Sequence, residues 1–150
     1  MQEHDKPLTR AWVIHPDIQS DRNRRDPASG LAEAVSLAAA LPSLDTIGGE
    51  IVRLPKLQPG WLFGKGKIEE LRLRLEENEI DLVLVDGPVS PAQQRNLEKE
   101  WGVKLLDRTG LILEIFSDRA RTREGVLQVE MAALSYQRTR LVRAWTHLER

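Results

Sequence analysis

Residues 82–107, LVLVDGPVSPAQQRNLEKEWGVKLLD, decide the fold. Leu82–Val85 is a continuous apolar run, suited to a strand buried on both faces. Asp86-Gly87-Pro88 turns the chain. Ser90-Pro91-Ala92-Gln93 is a helix start: Ser as N-cap, Pro at the first helical position, Gln three residues after the cap. The helix runs to Trp101 and Gly102 ends it. Val103–Leu106 then reads as another strand. Strand, helix and strand in such short compass predict a parallel pair joined by a crossover helix.

The same alternation extends in both directions. Ala11–His15 reads as a first strand. Residues 16–28 are polar, carry Pro and Asp, and read as a loop. Ser29–Leu41 is rich in Ala and Leu and reads as a helix stopped by Pro42. Ile47–Leu54 reads as the second strand, with Gly48-Gly49 weakening its start. Residues 55–63 form a Pro/Gly-rich connection. Lys65–Asn78 is a helix with Ile68, Leu71 and Leu75 on one face. Thr109–Ala120 is a helix with Leu111, Ile112, Ile115 and Phe116 directed inward. The expected fold class is therefore α/β: a small four-stranded parallel sheet with helices on both faces, followed by a long C-terminal helix.

That last helix is read from the segment TREGVLQVEMAALSYQRTRLVRAWTHLER, which begins at Thr122. Leu127, Met131, Leu134, Leu141, Trp145 and Leu148 fall at alternating four- and three-residue steps, with Arg138 filling one missing step. Such a seam asks for a partner helix. The expected organisation is an α/β domain over residues 1–121 and the first helix of a coiled-coil arm over residues 122–150. The chain then reads as the front part of a longer protein. An exposed seam also predicts self-association.

Composition narrows the functional classes. The chain has 150 residues, 41% hydrophobic and 30% charged, and no Cys. That excludes a disulfide framework and a thiolate metal site. No apolar run approaches a membrane span and no signal peptide precedes Arg10, so a cytoplasmic location is expected. The net charge of −1 argues against a generic nucleic-acid binder, but the charge is unevenly spread. Residues 119–150 carry seven Arg and three Glu, whereas residues 1–118 carry fifteen Lys and Arg against twenty Asp and Glu. An acidic body bearing a basic arm suggests an anionic partner for the arm. A solvated helix face would show the same charges.

Few residues offer chemistry of their own. The pattern GxxxxGK[ST] is absent, so no Walker-type phosphate loop exists in these residues. Gly64-Lys65-Gly66-Lys67 precedes a helix and could cradle a phosphate through backbone N–H groups and the helix dipole. With the Walker spacing absent, a tight turn that lets the helix leave a loop is the plainer reading. His4, His15 and His147 share no metal-ligand spacing. His15, Asp86 and Asp107 each end a strand, where open parallel sheets place their ligands. Capping of turns and helix starts is the plainer role for both Asp residues. No nucleophile–base set can be assembled. Arg119, Arg121 and Arg123 form one cluster and Arg138, Arg140 and Arg143 another, each suited to phosphate through its planar fork. Arg138 also lies on the seam, where its stem can snorkel.

Four blocks carry a family resemblance. Ser90-Pro91-Ala92-Gln93-Gln94-Arg95-Asn96-Leu97-Glu98 resembles a segment of the HflX family of ribosome-associated GTPases. So do Asp107-Arg108-Thr109-Gly110-Leu111-Ile112-Leu113-Glu114-Ile115-Phe116 and the run Arg119–Gly125 with Leu127-Gln128-Val129-Glu130. Phe63-Gly64-Lys65-Gly66-Lys67-Ile68-Glu69-Glu70-Leu71 is similar to a fourth. The blocks keep the family's order and spacing across residues 63–148. Residues 57–62 depart from it, lacking the Pro-Asp-Pro and Tyr-Ile that usually lead into the glycines.

The resemblance implies an N-terminal module whose parent continues into a returning helix, a GTPase domain and a C-terminal domain. By that analogy the parent binds the large ribosomal subunit, splits stalled ribosomes and hydrolyses GTP with Mg2+. The present residues would hold no cofactor and have no GTPase activity of their own. Their task would be rRNA binding, with Arg119, Arg121, Arg123, Arg138, Arg140 and Arg143 as candidate contacts. The alternative is a nucleotide-binding α/β domain (ATP or GTP), acting through Gly64–Lys67 or the strand ends near Asp86.

Overall fold

The computed structural model describes residues 8–120. The seam residues Leu127, Met131, Leu134, Leu141, Trp145 and Leu148, together with Arg121, Arg123, Arg138, Arg140 and Arg143, lie outside the described residues, as do His4 and His147. Eight elements alternate along the chain: β1 (Thr9–Ile18), α1 (Pro27–Ala39), β2 (Leu44–Leu54), α2 (Lys65–Glu77), β3 (Leu82–Val85), α3 (Pro91–Trp101), β4 (Lys104–Asp107) and α4 (Arg108–Ala120). The strands form one parallel sheet in the order β2-β1-β3-β4. The expected α/β class with a four-stranded parallel sheet is what the chain adopts. No helix among the described residues is long and apolar enough to cross a membrane.

Side chains on the two sheet faces build two cores. On one face Ile14, Val52, Val83 and Leu105 pack under α2 and α3, against Leu71, Leu75, Leu97 and Trp101. On the other, Ala11, Val13, Leu84 and Leu106 pack under α1 and α4, against Ala34, Ala38, Leu111 and Ile115. β3 is buried at all four positions, which is why its sequence is apolar without alternation.

Local chemistry sets the helix ends. Ser90 Oγ accepts from the Gln93 N–H at 3.1 Å while Gln93 Oε1 accepts from the Ser90 N–H at 2.9 Å, closing the capping box. Gly102 ends α3. Asp26 caps α1 by accepting from the Ser29 N–H at 3.0 Å, with Pro27 at the first position.

Several element ends shift by one or two residues from the sequence reading, and β1 and β2 shift furthest. β1 does not stop at His15 but runs on through Pro16 to Ile18, pairing with Val52, Arg53 and Leu54 of β2. Pro16 is tolerated there although β1 is central. β2 begins at Leu44, three residues early, and continues through Gly48-Gly49. The glycines are needed for packing: a Cβ on Gly48 would lie 2.8 Å from Trp12 Cζ3. A register shift at Ala11/Trp12 leaves Ile47 as an inserted residue, a bulge that twists this edge strand. In α4, Leu111 and Ile115 are buried as expected, but Phe116 is exposed and Ile112 only half-buried. One residue along a helix is a turn of 100°, so Phe116 cannot share the face of Ile115 fully.

Candidate functional site at the strand ends

The sheet order places β2 and β3 on opposite sides of β1. The connections leaving β1 and β3 therefore diverge, opening a crevice at their carboxyl ends. A cleft of about 250 Å3 lies there, lined by His15, Ile18, Arg24, Leu57, Asp86 and Arg108 among others.

Its floor is an ionic network drawn from β1, the end of β3, α1 and α4. His15 Nδ1 donates to Asp86 Oδ2 at 2.8 Å. A carboxylate oxygen only accepts, so this ring nitrogen carries the proton. Arg108 donates to Asp86 Oδ1 at 2.8 Å and reaches Glu33 of α1 at 3.4 Å. Arg25 also donates to Glu33. The Asp86 side chain is 3% exposed, and both its oxygens are occupied by cationic or N–H donors. Hydrogen bonds from Arg25 and Arg108 hold the Glu33 carboxyl below its ordinary range. The Asp86 hydrogen bond raises the Arg108 guanidinium further above its usual value.

Close packing fixes the histidine. A Cβ on Gly30 of α1 would lie 2.4 Å from His15 Cε1, so only glycine leaves room for the ring. Beside the network, Asp17 is buried and accepts from Arg24 at 3.2 Å and from Gln19 at 3.0 Å.

The Gly64–Lys67 turn borders a second depression, which reaches Glu100 near the C-terminal end of α3. Gly64 is the extended N-cap of α2 and makes no side-chain cap. Lys65 is exposed and Lys67 pairs with Glu70 at 3.1 Å. Trp61, Phe63, Gly64, Lys65, Glu69 and Glu100 line this groove, of about 710 Å3. The strand-end cleft and this groove lie on either side of the connection of residues 55–64.

Arg119 is the one rRNA candidate within the described residues. It sits exposed in the last turn of α4. Eleven residues of helix, about 17 Å at 1.5 Å per residue, separate it from Arg108 at the cleft. The structure does not bring Arg119 together with Lys65 and Lys67.

Asp107 takes the expected capping role, its Oδ1 accepting from the Gly110 N–H at 2.9 Å. Asp86 does not; it binds His15 and Arg108 instead. Sequence reasoning placed His15 and Asp86 at strand ends but missed their pairing, and it missed Arg108, Arg25 and Glu33 altogether. The available signal was topology: once β1 and β3 are neighbours, Ile14 pairs with Val85, and the next residue of each strand must meet.

With this geometry in place, the relatives of the chain are informative. The family described as GTP-binding GTPase N-terminal matches residues 28–117, and that described as GTP-binding GTPase Middle Region matches residues 119–150. GTPase HflX of Magnetococcus marinus is 50% identical over 126 residues, covering 84% of this chain and 29% of that protein. GTPase HflX of Escherichia coli is 43% identical over 143 residues, covering 94% and 32%. The chain thus spans about a third of the length of these curated relatives. Among solved structures, a GTP-binding protein from Sulfolobus solfataricus in complex with GDP superposes with a TM-score of 0.59 at 22% identity, covering 87% of this chain and 37% of that one. At that identity the likeness speaks for the fold alone.

Proposed function

This chain belongs to the HflX family of GTPases, as its N-terminal domain, and on that premise we propose that it is a ribosome-binding module acting on rRNA of the large subunit. In this reading the α/β body is a rigid mount, and the Arg residues from Arg119 onward contact rRNA phosphates. GTP hydrolysis, with its Mg2+, belongs to parts of the relatives that the chain does not span. The splitting of stalled ribosomes is then an activity of the whole protein, in the cytoplasm.

The observation that carries the reading is the division of charge. Seven Arg and three Glu over residues 119–150 adjoin a body with five more acids than bases. Each phosphate neutralised by such an arm releases counterions, so affinity must fall with salt. The test is a salt titration of binding to the large subunit. Replacing Arg138, Arg140 and Arg143 together with Gln should flatten the slope of log K against log salt by up to about three units. An unchanged slope would return these residues to a solvated helix face.

A second reading is favoured by one specific observation: the cleft with Arg24, Arg25 and Arg108 sits at the topological switch point, where doubly wound sheets hold nucleotides. Titrating ATP and GTP against the chain and its Arg108→Gln variant tests it. Saturable binding lost in the variant would establish the cleft as a nucleotide site.

A further inference from the structure

The connection of residues 55–64 is built more rigidly than a linker requires. Gln58 and Leu62 bridge each other through both backbone hydrogen bonds, at 2.9 and 3.3 Å. At the end of this bridge the Phe63 N–H donates to the Trp61 carbonyl at 2.6 Å, closing a tight turn over Leu62. Leu62 has φ of 68°, the left-handed region, where a branched bulky residue is strained. Burial of Leu62 and Phe63, each 1% exposed, holds the strain in place. From α3, Gln93 Nε2 donates to the Gln58 carbonyl at 2.8 Å and Asn96 Nδ2 to the Gly60 carbonyl at 2.7 Å.

Those anchors fix a loop whose tip presents apolar surface. Trp61 is 40% and Leu57 43% exposed, two of the five large exposed hydrophobics among the described residues. The charge around them is one-sided along the chain. From Ile51 to Ile68, eighteen residues between Glu50 and Glu69 carry Arg53, Lys56, Lys65 and Lys67 and no carboxylate. This occurs within a body that is otherwise acidic. Lys56 and Lys65 are exposed and make no ion pair among the described residues. The carboxylates that border the groove sit off this run, and Glu69 is itself held by Arg72.

A half-exposed indole that shares its groove with Lys65, and has Lys56 five residues before it in a run free of carboxylates, has the composition of a stacking platform for single-stranded nucleic acid. We propose that Trp61 stacks on an unpaired base of RNA while Lys56 and Lys65 take the adjoining phosphates. The proposal rests on the rRNA reading and adds a second contact surface to it, distinct from the arginines beyond Arg119. A stacking contact tolerates any base but requires that base to be out of a duplex, so the ligand is a loop or bulge.

The experiment uses the whole chain with three probes: a short oligoadenylate, an RNA duplex of similar length, and the isolated large subunit. Trp61→Ala should weaken oligoadenylate binding by about tenfold or more at every salt concentration, without changing the slope, since base–aromatic stacking has that size. Trp61→Phe should keep most of the affinity. Lys65→Gln should instead reduce the slope by about one unit. Duplex binding should be weaker and insensitive to Trp61. Unaltered oligoadenylate affinity in Trp61→Ala, with subunit binding by the parent chain intact, would overturn the platform and leave the rRNA reading standing. Loss confined to the intact subunit, with naked RNA unaffected, would assign Trp61 to a protein contact and likewise overturn it. Failure of the unsubstituted chain to bind any of the three would remove both. Circular dichroism on each variant keeps folding separate from binding.

Discussion

Replacing Glu98 with Gln should change how stability depends on pH. Glu98 of α3 is 5% exposed, and its Oε2 accepts from the Leu105 N–H at 3.0 Å and from Gln94 Nε2 at 3.3 Å. The same Gln94 amide donates to the Leu105 carbonyl at 2.6 Å. β4 is an edge strand, and these two side chains close its outward backbone groups where another strand would otherwise pair. Burial opposes the carboxylate charge more strongly than the hydrogen bonds and Lys104 favour it, so the carboxyl is pushed up to about 7 from 4.5. A carboxyl raised in the folded state binds its proton more tightly there than in the unfolded chain. Its contribution to stability is therefore fully present below pH 4.5 and declines as pH rises, until it levels off above about 7. At 1.36 kcal/mol for each tenfold change in proton affinity, the loss across that window is up to about 3 kcal/mol. Gln keeps an acceptor for Leu105 and cannot ionise. Urea denaturation of both proteins from pH 5 to pH 8 isolates the effect, because every other titrating group cancels in the difference. The parent should lose stability relative to Glu98→Gln as pH rises. A difference that stays constant across the window would refute the argument that burial governs this carboxyl.

Three further outcomes follow from the packing and the seam. Gly30→Ala should displace the His15 ring from Asp86 and cost about 1–3 kcal/mol, the usual size of overpacking, read from denaturant melts; an unchanged midpoint would show that the ring has room to move. Asn96→Ala removes the bond to the Gly60 carbonyl and should cost about 1 kcal/mol while accelerating proteolytic nicking within residues 57–61; equal cleavage rates would mean the loop is held without it. The seam of Leu127, Met131, Leu134, Leu141, Trp145 and Leu148 should drive self-association. Sedimentation velocity should then show mass rising with concentration, and less so for Trp145→Ala; a monomer at every concentration would mean the heptad has been misread.

The parts of the fold that were legible in the sequence are those decided by local rules. The capping box at Ser90, the stop at Gly102 and the apolar run of β3 each depend on residues within one or two turns, and each appears where expected. What failed depended on distant neighbours. Pro16 and Asp17 look like loop residues, yet β1 continues through them because β2 supplies a partner as far as Leu54. Gly48 looks like a strand breaker until the Trp12 ring is placed against it. The candidate site divides in the same way. The strand-end position of Asp86 follows from the β/α alternation, whereas His15 lies within β1 and not at its end, and their contact needs the order of strands, which no local pattern encodes. Arg108 could be read as family sequence without any sign that it would bridge Asp86 and Glu33.

The two ligand readings differ in what each asks the protein to give up. The cleft arginines are committed: Arg108 to Asp86 and Glu33, Arg25 to Glu33, Arg24 to Asp17. A phosphate entering there must draw Arg108 away from a carboxylate that is 3% exposed. Stripping the partner from a buried charge costs about 3–5 kcal/mol. His15, remaining on Asp86 through Nδ1, would offset only part of this. Lys56 and Lys65 carry no such debt, since they are exposed and without ion pairs among the described residues. Trp61 likewise needs no rearrangement, because its loop is already strained into the displaying form. Surfaces that are pre-organised and uncommitted bind at lower cost than networks that must first be opened. On that ground the polyanion reading takes precedence over the mononucleotide one, and the ionic network beneath the cleft is better understood as the clamp that joins α1, β1, β3 and α4.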